Sequence, residues 1–197
     1  MKPKTRGILL IILGLLLTFA GAGLYAGYER QANLAGNNAK VLLQEVKKDI
    51  RKRQLEAVVT EAPEGQMLQT SVGGYAVIGI LKVEEAAIEL PVLESWSYEQ
   101  LEYGPCRYSG ALAEGDLVLL GHNYRDHLAS LDQVEKGDTV EFMDVEGKSH
   151  IFQVAKTSVL KPTQVEELSA GNFPLTIFTC TPGGQSRFVV YCDYAKE

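Results

Sequence analysis

Leu175-Thr176-Ile177-Phe178-Thr179-Cys180-Thr181-Pro182-Gly183-Gly184-Gln185-Ser186-Arg187-Phe188-Val189-Val190-Tyr191 is the stretch that decides the fold of this chain. Its two ends are rich in β-branched and aromatic residues, the composition of strands, and Pro-Gly-Gly between them supplies a turn. An antiparallel hairpin with Cys180 opposite Arg187 sends both side chains out of one face, with Cβ atoms roughly 5 Å apart. A thiol beside a guanidinium suits acyl chemistry, because the cation favours the thiolate and can hold an oxyanion. An inert buried cysteine and a surface arginine would read the same way locally. The decision therefore rests on the rest of the chain.

At 197 residues, 46% hydrophobic and 22% charged, the chain has room for one globular domain and an appendage. Its charge is unevenly spread. Up to Thr60 there are ten basic and four acidic residues, a net +6, and the remainder carries nine against 21, a net -12. An acidic folded part excludes nucleic acid as a partner, since phosphate binding needs a basic face. Three cysteines, Cys106, Cys180 and Cys192, have neither the even number of a disulfide framework nor metal-ligand spacing. Cys192 falls on the face of its strand opposite Arg187, and with Cys106 it is read as an inert thiol.

Upstream, Lys2, Lys4 and Arg6 precede an uncharged apolar run from Gly7 to Tyr28. About 20 residues cross a bilayer as a helix, and Tyr25 and Tyr28 suit its far interface. The basic leading flank keeps the N-terminus cytoplasmic and puts the body outside. Ala20-Gly21-Ala22 resembles a cleavage site, but the apolar run continues past it, which favours a retained anchor. Residues 1–30 are thus read as N-terminus and transmembrane helix. Residues 31–73 read as a helical stalk, with Val41, Leu42, Val46, Ile50 and Leu55 near 3.6-residue spacing, followed by a linker from Thr60 to Gly74. The basic cluster from Lys47 to Arg53 is read as a solvated face.

Residues 74–197 read as one domain, the candidate for catalysis at Cys180. Strands are expected at Tyr75 to Ile80, Ala87 to Val92, Asp116 to Leu120, Thr139 to Met143 and Ser149 to Leu160, besides the two at Cys180. A short helix or turn is expected at 97–103 and short helices at 127–134 and 163–168, the last opened by a Thr163 cap with Glu166 at the capping-box position. Closely spaced strands with no βαβ rhythm predict a mainly β protein built as a closed or nearly closed barrel with short connecting helices. A cysteine nucleophile needs a distant histidine brought close by the fold. Of His122, His127 and His150, only His122 ends a strand, and alternation puts Val118, Leu120 and His122 on one face. His127 and His150 are read as surface histidines. Asp126, Asn123 and Asp193 are weighed as residues to orient His122, and none is selected.

These motifs together resemble the sortases, cysteine transpeptidases of Gram-positive cell surfaces. Thr176-Ile177-Phe178-Thr179-Cys180 is similar to the family's Thr-Leu-x-Thr-Cys, with Ile177 in place of Leu. Val118-Leu119-Leu120-Gly121-His122 resembles its histidine strand, and Arg187-Phe188-Val189-Val190 its arginine strand. Ile88-Glu89-Leu90-Pro91-Val92 resembles its Leu-Pro-Val element. The resemblance implies a membrane-anchored extracellular transpeptidase on a sortase-type barrel, and its partners would be two. One is a secreted protein with a C-terminal LPxTG-like sorting signal, and the other is the amine of a peptidoglycan precursor or a pilin. It implies Cys180 as nucleophile, His122 as general acid and base, Arg187 as oxyanion or backbone holder, and a groove lined by Val118, Leu120, Ile177 and Thr179. It implies no cofactor. A calcium ion on Glu94, Glu99 and Glu102 is the one metal weighed, because some sortases carry one in a comparable region. Cys180 to Arg187 is a short interval for the family, and the class stays open. A cysteine peptidase using water as acceptor and a non-catalytic surface-binding barrel are the alternatives.

Overall fold

The computed structural model describes residues 3–56, 66–164, 168 and 173–195. It opens with one helix, α1 (Pro3–Glu56), which contributes to two compact units, Met1–Leu34 and Ala35–Glu197. From Gly7 to Tyr28 the helix carries no charged residue. Ile8 to Leu17, Phe19, Leu24, Tyr25 and Tyr28 are exposed large hydrophobics, and the helix is long and apolar enough to cross a membrane. A helix with no polar face matches hydrocarbon rather than water.

The second unit is a closed barrel of eight antiparallel and parallel strands plus one short flanking strand. In chain order these are β1 (Thr70–Val72), β2 (Tyr75–Val83), β3 (Ile88–Leu93), β4 (Cys106–Ser109) and β5 (Leu117–Gly121), then β6 (Thr139–Asp144), β7 (Ser149–Leu160), β8 (Leu175–Cys180) and β9 (Arg187–Tyr194). Neighbours run β1-β2-β3-β4-β5-β8-β9-β7-β6, and β6 pairs back on β2 to close the ring. Closure removes the free edges that an open sheet would offer to other chains. The alternating inward residues fill the interior. Leu81, Val83, Leu117, Leu119, Phe142, Phe152, Ile177, Val190 and Cys192 are all fully or almost fully buried in one cluster.

Residues 31–73 depart from the expected stalk and linker. From Ala35 onward α1 is amphipathic, with Ala35, Ala39, Leu42, Leu43, Val46 and Ile50 buried at intervals of three to four residues. Leu42, Leu43, Val46 and Ile50 of this ridge join Val72, Val77, Ile80, Leu93, Leu101 and Cys106 in a second apolar cluster on the outside of the barrel. The basic cluster assists. Lys47 pairs with Glu89 at 2.7 Å, and Arg53 bonds Asp49 and donates to the Thr70 hydroxyl at 2.7 Å. Thr70 in turn donates to Asp49, and although burial works to raise the Asp49 carboxyl, the Arg53 and Thr70 bonds outweigh it and hold it below its ordinary range. The helix is therefore part of the packed unit, and β1 lies within the stretch expected to be a linker. Residues 57–65, which include the start of that linker, and residues 165–167 of the helix expected at 163–168 lie outside the described residues.

The other expected helices are short 3-10 turns at Gln100–Glu102 and Ala129–Gln133. Neither His127 nor His150 is a surface side chain. His127 is 2% exposed beside the Ala35 backbone, and burial lowers its pKa. His150 is half-buried and meets Asp144 at 2.9 Å in the β6–β7 hairpin.

Candidate active site

Strand register brings the catalytic candidates together. In the β8–β9 hairpin Cys180 pairs with Arg187. Strand β5 runs parallel beside β8, with Leu120 against Phe178 and Gly121 against Thr179, so the next residue, His122, falls level with Cys180. All three line one cleft of about 280 Å³, together with Trp96, Tyr108, Leu120 and Phe178. A larger groove of about 380 Å³ runs along α1, but its lining holds no cysteine or histidine.

Local structure explains why Gly precedes the histidine. A Cβ on Gly121 would stand 2.5 Å from Leu128 Cδ1, and the Gly121 carbonyl accepts a hydrogen bond from the Thr179 hydroxyl at 2.9 Å. The chain then curls back, with the Leu128 amide donating to the His122 carbonyl at 3.1 Å. His122 is clamped in this loop. Its ring lies on Tyr124 at 4.6 Å and 30°, and its Nε2 is 3.8 Å from Glu102 Oε1. Burial lowers the His122 pKa, and Glu102 acts in the opposite direction.

The six-residue loop between β8 and β9 is self-closed. Thr181 and Ser186 exchange bonds through Thr181 N to Ser186 O at 3.0 Å and Ser186 N to Thr181 Oγ1 at 3.2 Å. Gly183 and Gly184 have φ of 84° and 73°, a conformation that side chains resist. Arg187 Nη1 donates to the Gly184 and Ser186 carbonyls at 3.1 Å each, so the guanidinium is held by the loop it follows.

The four groove residues separate by face. Leu120 lines the cleft, and Val118 lies beneath it in an apolar cluster with Phe178, Val189 and Tyr191. Ile177 and Thr179 point the other way. Ile177 is fully buried in the barrel core, and Thr179 is buried against Gly121. Strand side chains alternate, so the residue that shares the face of Cys180 on β8 is Phe178. Parity from Cys180 would have selected it. An aromatic row missed in the sequence continues from there. The Phe178 ring meets Tyr108 edge-on at 5.4 Å, Tyr108 lies 6.4 Å from Trp96, and Trp96 contacts Tyr98. Tyr108 belongs to β4, a strand the sequence reading did not anticipate.

Two of the three carboxylates weighed for calcium are otherwise engaged. Arg107 binds the Glu94 carboxylate, and Glu102 faces His122. Among the described residues no group of three or more His, Cys, Asp or Glu side chains is placed to hold a metal ion. Burial pushes the thiols of Cys106 and Cys192 up to about 12, which leaves both protonated at neutral pH.

A sortase-domain family model matches residues 81–195, more than half of the chain. The chain belongs to the sortase family. Sortase A of Bacillus anthracis is 26% identical to it over 198 residues, covering 94% of this chain and 91% of that protein. Sortase C1 of GBS Pilus Island 1 shares the fold at a TM-score of 0.58 and 18% identity, over 81% of this chain and 93% of that one. A Clostridium perfringens sortase C, solved with the C-terminal cell wall sorting motif, matches with a TM-score of 0.55 and 16% identity over 89% of this chain and all of that one. This sortase is accordingly a cysteine transpeptidase of cell-wall sorting, built on the eight-stranded barrel of the family.

Proposed function

We propose that the sortase is anchored by the apolar part of α1 with its barrel outside the cell, and that it cleaves an LPxTG-like sorting signal and transfers the acyl part to an amine. The observation that carries this reading is the register pair Cys180–Arg187 in the same cleft as His122. With His122 protonated, the Cys180 thiolate attacks the carbonyl carbon of the Thr–Gly bond. Charge builds on the carbonyl oxygen, and Arg187 supplies the cation beside it. The C–N bond breaks as His122 gives a proton to the leaving amine, leaving a thioester on Cys180. An incoming amine of a peptidoglycan precursor or pilin then loses its proton to His122 and displaces the thiolate.

The apolar wall of Leu120, Phe178, Tyr108 and Trp96 supports binding of an extended peptide with apolar side chains. The Clostridium perfringens sortase C solved with its sorting motif supports the same choice of ligand class. The test uses the full chain in detergent micelles, a panel of LPxTG-like peptides and added amines. Ligation that depends on the amine and disappears in Cys180→Ala is the expected result. Cleavage at a rate and with a product independent of added amine would point instead to a peptidase, and no turnover with any signal would overturn the proposal.

A further inference from the structure

Asp126 and Asp193, two of the three residues weighed for orienting His122, are committed elsewhere or lie apart. Asp126 bonds Lys40 at 2.6 Å, which holds its carboxyl below the ordinary range, and Asp193 sits opposite Gln153 on the exposed end of β9. The carboxylate beside the imidazole is Glu102, from the 3-10 turn between β3 and β4. The turn is anchored from both sides. Leu101 is buried in the apolar cluster under α1, and Leu101 N and Tyr103 N donate to the Ser97 and Gln100 carbonyls.

Glu102 reaches the chemistry only through His122. Leu101 and His122 line the cleft, whereas Glu102 is not among its lining residues. Its Oε1 stands 3.8 Å from Nε2, too far for a hydrogen bond and close enough for a strong charge interaction in a site where both side chains are only 23% exposed. Among the described residues, Glu102 is the one carboxylate whose charge acts on the imidazole. Tyr124 stacks on the ring, His127 lies beyond Tyr124, and Cys180, Arg187, Tyr98 and Lys161 share the cleft.

We propose that Glu102 is a positioning residue for the transpeptidation, holding the His122 imidazole in place and balancing the positive charge it carries before proton delivery. This rests on the reading of His122 as general acid. The imidazolium gives its proton to the leaving amine as the C–N electron pair moves to nitrogen. The ring is then neutral until the incoming amine returns a proton to it. Glu102 faces a cation at the first and last of these stages. Burial disfavours the charged ring, and Glu102 acts in the opposite direction. The carboxylate offsets that penalty without touching substrate.

The test is Glu102→Gln in the full chain, which keeps the shape and removes the charge. In a Cys180→Ala background with labelled histidine, the His122 titration followed by NMR should move to lower pH. In the background with Cys180 intact, kcat should fall about tenfold, the scale of losing one neighbouring charge from a proton equilibrium, with KM for the sorting peptide unchanged. Glu102→Asp should recover part of both effects. An unmoved His122 titration, or a rise in KM with kcat intact, would overturn the proposal. A chain that shows no amine-dependent turnover even as wild type would overturn the transpeptidase reading instead, and the NMR comparison would still report on the Glu102–His122 contact.

Discussion

Leu42→Ala separates a packed helix from a stalk. Leu42 is 3% exposed on the ridge of α1, and its Cδ1 lies 3.5 Å from where a Cβ on Gly73 would stand. Removing a buried leucine side chain to Ala costs about 2–5 kcal/mol, the transfer term plus a cavity that closes incompletely. For a domain of this size each kcal/mol lowers the melting temperature by about 2–4 °C, which predicts a fall of roughly 4–20 °C. Val41, the adjacent residue, is 61% exposed, so Val41→Ala should stay within about 0.5 kcal/mol of the parent. On a free helical stalk the expectation reverses, because alanine has the higher helix propensity and Leu42→Ala would be neutral or slightly favourable to the helix. The assay is thermal unfolding of the full chain in micelles, followed by near-ultraviolet circular dichroism, which reports on the barrel aromatics. Equal melting temperatures for Leu42→Ala and Val41→Ala would refute the packing of residues 35–56 on the barrel.

Brief iodoacetamide treatment of the folded chain at pH 8 should add one group, at Cys180, because Cys106 and Cys192 are buried with thiols raised to about 12. Peptide mass mapping checks this, and early modification of either buried thiol would count against it. Gly121→Ala forces Leu128 to move and should cost about 1–3 kcal/mol while lowering kcat, since His122 follows directly; denaturant unfolding and turnover of the variant measure the two effects. The pKa values of His122 and His127 are both lowered by burial, so the folded state binds fewer protons than the unfolded one. Their contribution to stability is present above the ordinary histidine value and is lost as pH falls through the lowered values. Urea midpoints should therefore drop between pH 7 and pH 5, and His127→Leu should flatten that slope.

The hairpin around Cys180 was legible because its information is local. β-branched composition, a Pro-Gly-Gly turn and one-to-one antiparallel pairing together predict that Cys180 faces Arg187, and the register has that pair. His122 at a strand end and the barrel class follow from alternation and strand spacing in the same way. Placing one element against another is not local in this way. On β8 the parity of Cys180 selects Phe178 for the cleft and sends Ile177 and Thr179 to the opposite face. The apolar spacing of residues 35–50 was visible as a helix, but periodicity states that a face is apolar without saying what covers it.

Glu102 shows the same division. In sequence it is an acidic residue 20 positions before His122, indistinguishable from Glu94 and Glu99. Folding sends Glu94 to Arg107 and Glu102 to His122, because the turn after β3 and the end of β5 meet across β4. The chain by itself determined the Cys180–Arg187 pairing, the place of His122 at a strand end and the barrel, since each rests on short-range spacing and strand alternation. Only the tertiary structure decided which carboxylate stands behind the histidine, which aromatics wall the cleft and what the helix covers. Those are contacts between distant segments, set by strand order and packing rather than by any local pattern.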